Sequence, residues 1–159
     1  VREPIRVLAA GIAGAVAWWA GIAVVFGLAQ GILTDPNRQS AKFLFVLTEP
    51  PLPRMAEKPS VFAWGFLVVA IVYARAFAWL DPKLAGGIVR KGAAFGLFAW
   101  ALMVPWFEFY LPWNVMLEPL PLVIVEAACW LVVLVGVGLS VSSVYRLVGR
   151  RATGENVGP

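Results

Sequence analysis

Histidine is absent from the chain, and cysteine occurs once, as Cys129. The first absence removes the commonest ligand of haem iron, zinc and copper, and with it the usual general base near neutral pH. Chlorophyll or haem held through histidine is therefore excluded. A single cysteine forbids an intrachain disulfide. Charge is scarce as well: charged residues make up 14% of the 159 against 61% hydrophobic, more apolar content than a water-soluble domain of this size could cover with polar surface. Also missing are a phosphate-binding glycine loop, a metal-ligand cluster of recognised spacing and a nucleophile with a histidine base. No catalytic residue and no metal ligand can be named from motif.

What the chain does have is four long apolar runs, at residues 7–29, 61–80, 92–111 and 120–147. Each approaches or exceeds the roughly 20 residues that an α-helix needs to cross about 30 Å of hydrocarbon. The runs are continuous instead of alternating, which favours helices over barrel strands, and a helix satisfies its own backbone in lipid. Arg2 and Arg6 precede the first run in the manner of a signal peptide, but the run exceeds the usual apolar segment of about 7–15 residues and reads as a retained helix. The expected fold is all-α: a polytopic membrane protein with four transmembrane helices, a long first loop at 30–60 and a tail at 148–159.

The net charge of +4 does not read as a nucleic-acid signal, because the basic residues sit at the ends of the runs. Arg2, Arg6, Arg75, Lys83, Arg90, Lys91, Arg146, Arg150 and Arg151 fall on one side of a four-helix layout, and Arg38, Lys42, Arg54 and Lys58 on the other. Nine against four places both termini in the cytoplasm of a bacterial cell, with the chain in the inner membrane and loop 30–60 outside. Within that loop Phe43-Leu44-Phe45-Val46-Leu47 is apolar but too short to cross, so it should rest in the interface or pack over the bundle. Pro50, Pro51 and Pro53 then impose extended backbone. The turn residues at 81–87 make helices two and three antiparallel neighbours. Matching short segments before spans one and three, and before spans two and four, faintly suggest a parallel repeat of two hairpins.

Glu126 lies inside the fourth run, six residues or roughly 9 Å below its start. Cys129, Val133, Gly136, Ser140 and Ser143 share its side of the helix. An acid at that depth must be protonated, hydrogen-bonded or paired. Arg54, Lys58 and Asn114 are candidate partners that would make it a structural fastening; Glu108 on helix three would make it part of a site for a proton, cation or polar ligand. Pro105 should kink or weaken helix three just before Glu108. Trp106, Tyr110 and Trp113 form an aromatic belt, and with Asn114 they are the candidate outer site for a quinone headgroup or lipid. Arg75 is a third ionisable candidate within a span, with Asp81 or an anionic lipid as partner. The basic tail can also hold anionic lipid.

Ala10, Gly14, Ala17 and Gly21 form a small-residue stripe on helix one, and Gly136 and Ser140 a shorter one on helix four. Such stripes let helices approach closely, within the chain or toward a partner subunit. In hydrophobic layout the chain resembles the small four-helix integral membrane proteins of bacteria, and layout transfers no active-site residue. The leading expectation is a non-catalytic accessory or structural subunit of a larger membrane complex, respiratory or photosynthetic, packed against other membrane subunits and lipids. The first alternative is a small oligomeric, ion-coupled transporter using Glu126 and Glu108. The second is an integral enzyme acting on lipid or quinone, with Glu108, Tyr110 and Asn114 around the substrate. No cofactor is expected to be covalent or histidine-ligated; a lipid, quinone or carotenoid could lodge between helices, and a homo-oligomer fits the stripes.

Overall fold

The computed structural model describes residues 2–153, the side chains of Arg54, Met55 and residues 150–153 lying outside the described set. The described residues form six helices and their connections, with no strand: α1 Glu3–Leu33, α2 Ala41–Thr48, α3 Arg54–Glu57, α4 Pro59–Leu80, α5 Ile88–Val115 and α6 Leu120–Thr153. Two stretches widen into π-helical turns, Ile22–Phe26 in α1 and Phe109–Val115 in α5. Four helices, α1, α4, α5 and α6 over Leu120–Gly149, are long and apolar enough to cross a membrane.

Each spanning helix runs past the apolar run that announced it. Helix formation needs only backbone hydrogen bonds, so polar end residues join readily where a terminal signal is present. Pro4 stands in the first turn of α1, where its missing N–H costs nothing, and Glu3 complements the positive end of the helix dipole. Pro59 opens α4 in the same way. The loop expected at 30–60 shrinks to 34–58 and carries α2 and α3. Helix α6 continues into the tail expected at 148–159; the side chains of Arg150 and Arg151, and all of residues 154–159, lie outside the described set.

Helix α2 starts at Ser40, whose hydroxyl accepts from the Phe43 N–H at 3.0 Å. Its Phe45, Val46 and Leu47 are exposed, and among the described residues no other helix packs closely on it.

The closest helix packings are α5 on α6, α1 on α6 and α1 on α4. Helices α4 and α5 are antiparallel, but only their long side chains meet, through Phe77 and Phe95 with ring centroids 5.4 Å apart and Tyr73 and Phe95 at 6.1 Å. The expected close neighbours are thus separated by an apolar groove. A two-hairpin repeat would give the α1–α6 and α4–α5 contacts equal weight, and the packing does not.

Small residues decide which faces meet. On α1, Ala10 is fully buried, and a Cβ on Gly14 would stand 2.8 Å from a Val141 methyl and one on Gly21 3.2 Å from Val133. The α1 stripe is therefore occupied within the chain. The tightest approach is between α5 and α6, where a Cβ on Gly92 would lie 2.8 Å from the Gly138 carbonyl oxygen and one on Gly96 2.6 Å from Val135 Cα. Gly136 corrects the sequence reading, since a Cβ there would meet nothing within 4 Å. Ser140 instead joins helices by a hydrogen bond, its hydroxyl donating to the Ala13 carbonyl at 3.1 Å.

The bundle has a terminal end and a loop end. At the terminal end Arg6 donates to the Tyr145 carbonyl at 3.2 Å, with its guanidinium 4.0 Å from the Tyr145 ring centroid, so the two terminal helices meet on the same side. Asp81 ties three helices together there: its carboxylate accepts from Arg146 of α6 at 2.7 Å and pairs with Lys91 of α5 at 3.2 Å. Lys91 also donates to the Asp81 carbonyl. Burial works against ionisation of Asp81, but hydrogen bonds and charge from Arg146 and Lys91 outweigh it and hold the carboxyl below its ordinary range.

Candidate functional site

At the loop end three carboxyl groups converge. Glu126 projects from α6, Glu108 from the last α-helical turn of α5, and Glu118 from the connection between these helices. One carboxylate oxygen from each lies within 4.8 Å of the others. Glu108 and Glu118 are each 2% exposed and Glu126 is 9% exposed. No basic side chain among the described residues pairs with any of them. Both oxygens of Glu108, and one of Glu118, are buried without a hydrogen-bond donor.

Backbone geometry delivers Glu118 to this place. Pro112 has no N–H, so it cannot bond the carbonyl of Glu108 four residues earlier, and the helix loosens into π turns from Phe109 onward. The weakening expected at Pro105 thus appears about one turn later, as π turns: the α-helix persists through Pro105 to Glu108. After Met116 bonds back to the Leu111 carbonyl, Leu117 adopts a left-handed conformation with φ 59°. The Glu118 N–H then bonds to the Pro112 carbonyl at 2.9 Å and the side chain turns beneath the loop.

The connection leaving α1 covers the cluster. Gln39, 6% exposed, donates from its amide nitrogen to Glu118 Oε1 at 2.6 Å and to the Leu33 carbonyl at 2.9 Å. Its amide oxygen accepts from the Ser40 N–H at 2.8 Å. The Ser40 hydroxyl donates to the Met116 carbonyl at 2.6 Å. These bonds staple the end of α1 to the α5–α6 turn. Burial raises the pKa of Glu118, and the Gln39 hydrogen bond works the other way without cancelling it.

Glu126 and Glu108, singled out from sequence, are brought together. The proposed fastening partners are not with them: Lys58 and Asn114 are exposed, and the Arg54 side chain lies outside the described set. Trp106, Tyr110 and Trp113 are 66%, 51% and 42% exposed. Trp106 stacks on Tyr110 with centroids 5.5 Å apart, and Trp113 lies 5.0 Å from Phe109. Trp106, Tyr110 and Asn114 face outward away from Glu108, whereas Trp113 shares with Glu108 the lining of an apolar groove between α5 and α6. At about 100° per residue, Tyr110 points away from the face that Glu108 occupies. Arg75 is not buried: it is exposed and pairs with the exposed Glu3 at 2.5 Å, not with Asp81.

Sequence reasoning missed Glu118 and Gln39. The available signal was a lone acid in the apolar segment Met116-Leu117-Glu118-Pro119-Leu120; proline-rich surroundings disguised it as a solvated turn residue.

Comparison with known proteins finds no matching family, no matching curated protein and no matching solved structure.

Proposed function

We propose that this chain is a small multi-pass membrane carrier that binds a cation at Glu108, Glu118 and Glu126 and exchanges it for protons. The observation that carries this reading is the convergence of three buried carboxyls with no basic partner among the described residues. Two unit charges no more than 4.8 Å apart repel by at least about 3 kcal/mol at an effective dielectric constant of ~20. Three such pairs approach ~10 kcal/mol, comparable with the roughly 5–15 kcal/mol that holds a typical domain together. The cluster must therefore keep protons or hold a cation, and switching between those states is the elementary step of an exchanger. An all-carboxylate ligand set suits hard cations.

The unequal distribution of basic residues supports a bacterial inner-membrane location with the terminal end cytoplasmic and the cluster near the outer face. An accessory subunit was the leading expectation from sequence, motivated by small-residue faces available to partners. The α1 stripe is occupied within the chain, so that motive weakens and the carboxyl cluster takes precedence.

The test is cation-driven proton exchange in liposomes containing the purified protein and an internal pH dye, challenged in turn with Na⁺, K⁺ and Mn²⁺. One of these ions should move protons with the wild-type chain. Glu126→Gln should abolish exchange while leaving detergent-extracted protein with unchanged size and helicity. Exchange indifferent to Glu126→Gln, or none with any of the three ions, returns the accessory-subunit reading to first place.

A further inference from the structure

A second candidate site lies at the terminal end, opposite the carboxyl cluster. Helices α1 and α4 touch at Gly11, where a Cβ would stand 2.8 Å from Ile71 Cα. Toward the terminal end the space between them is a groove of about 530 Å³, lined by Glu3, Pro4, Val7 and Leu8 of α1 and by Ile71 and Arg75 of α4. Val7, Leu8 and Ile71 give it apolar surface, while Glu3 and Arg75 bring one carboxylate and one guanidinium. Both charged groups are presented outward: the Arg75 side chain is 64% exposed and that of Glu3 55%. One Arg75 nitrogen donates to one Glu3 oxygen, and among the described residues no other group bonds either side chain. This flank faces lipid. Val68, Val72 and Trp79 share the Arg75 face at helical spacing and are 60%, 59% and 62% exposed. The Lys83 ammonium lies 3.5 Å from the Trp79 ring centroid, an aromatic and basic pairing suited to the depth at which a span reaches headgroups.

We propose that this groove binds one zwitterionic phospholipid with a primary ammonium headgroup, phosphatidylethanolamine, its phosphate on Arg75, its ammonium on Glu3 and an acyl chain along Val7, Leu8 and Ile71. The order of the two charges carries the proposal. Measured from the contact of Gly11 with Ile71, Arg75 lies four residues toward the terminal end, about 6 Å along its helix, and Glu3 eight residues, about 12 Å. The basic side chain is thus rooted nearer the hydrocarbon and the acid nearer water. A phosphoethanolamine headgroup presents its charges in the complementary order, phosphate first and ammonium outermost. Arginine takes a phosphate through two parallel N–H groups, and a primary ammonium offers Glu3 the N–H donors that a quaternary choline lacks. An anionic phosphoglycerol headgroup leaves Glu3 facing a second negative charge. The lipid competes only with the Glu3–Arg75 pair itself, and an exposed ion pair contributes little.

The experiment is native mass spectrometry of the full chain in mild detergent, titrated with phosphatidylethanolamine, phosphatidylcholine and phosphatidylglycerol of matched acyl chains. Wild-type protein should retain one phosphatidylethanolamine per chain, with an affinity roughly tenfold or more above that for either of the others. Arg75→Gln should lower that affinity roughly ten- to hundredfold, the range for losing one charge-assisted partner. Glu3→Gln should remove the preference over phosphatidylglycerol. Each of these removes one member of an exposed pair and should leave the fold in place. The double exchange of Glu3→Arg with Arg75→Glu keeps an ion pair but reverses its order, so it should lose the preference for phosphatidylethanolamine while the thermal midpoint stays at the wild-type value; a merely structural bridge would not make that distinction. Equal retention of the three lipids overturns the proposal. So does tightest binding of phosphatidylglycerol, or a phosphatidylethanolamine preference that survives Arg75→Gln or the reversed pair. Proton exchange in liposomes reads the carboxyl cluster at the other end of the bundle, so the two proposals fail separately.

Discussion

Asp81 shows how much one side chain can hold together in this molecule. It compensates Lys91, itself only 7% exposed, and Arg146 on another helix. Removing one member of such a group leaves the others charged and poorly solvated, which typically costs about 3–5 kcal/mol. Asp81→Asn should therefore lower the thermal midpoint in detergent at neutral pH far more than removing the exposed Glu3–Arg75 pair, for which about 0–1 kcal/mol is expected. The pH dependence follows from its lowered pKa. A carboxyl that binds its proton less readily when folded contributes fully above the ordinary carboxylate range, and that contribution is lost as pH falls through that range to the lowered value. Wild-type stability should decline in that acid window, and Asp81→Asn should flatten the decline. Glu118 has the opposite sign: its raised pKa means that stability falls as pH rises above the ordinary carboxylate range, until the raised value is passed. Neither role was readable from the sequence. Asp81 stands in a Pro-Gly-rich turn, and Glu118 between Leu117 and Pro119, where acids are ordinarily solvated. Glu126 was readable because it interrupts an apolar run, and no loop geometry is needed to see that.

Among the helices, apolar length was sufficient to find all four spans, because lipid leaves a continuous apolar segment no other way to satisfy its backbone. Their ends were less legible, since proline starts and π turns depend on local bonds that hydrophobicity does not register. The partner faces were legible in principle: Gly92 and Gly96 are four residues apart, the spacing that lets spanning helices touch backbones. The two kinds of glycine should separate cleanly on substitution. Gly96→Val places a Cβ 2.6 Å from Val135 Cα and should cost about 1–3 kcal/mol or more by forcing α5 and α6 apart. Gly136→Ala enters open space and should gain roughly 0.5–1 kcal/mol from helix propensity. Thermal unfolding of both variants in one detergent reads the difference directly.

For the molecule as a whole, the ion network at the terminal end and the carboxyl cluster at the loop end give the bundle opposite polar chemistry at its two ends. The orientation proposed from basic residues makes this a statement about compartments. A cytoplasmic reporter fused after residue 159 should be active, and one inserted between α2 and α3 silent; an export-dependent reporter should give the reverse pattern. Reversal would move the carboxyl cluster to the cytoplasmic side and exchange the direction of any proton coupling. The separation of α4 from α5 was beyond the reach of sequence, because it depends on which helices approach and which stay apart.

The order of packing also bears on how the chain is made. Helix α6 follows α1, α4 and α5 in the chain, yet it is the helix against which both α1 and α5 pack. Until it leaves the ribosome, Glu108 lacks the helix that carries Glu126, Gly96 has no backbone to close upon, and Gly14 meets only Ala70 of α4. Completion of the bundle therefore waits on α6, and a chain truncated before Leu120 should be degraded far faster than the full chain.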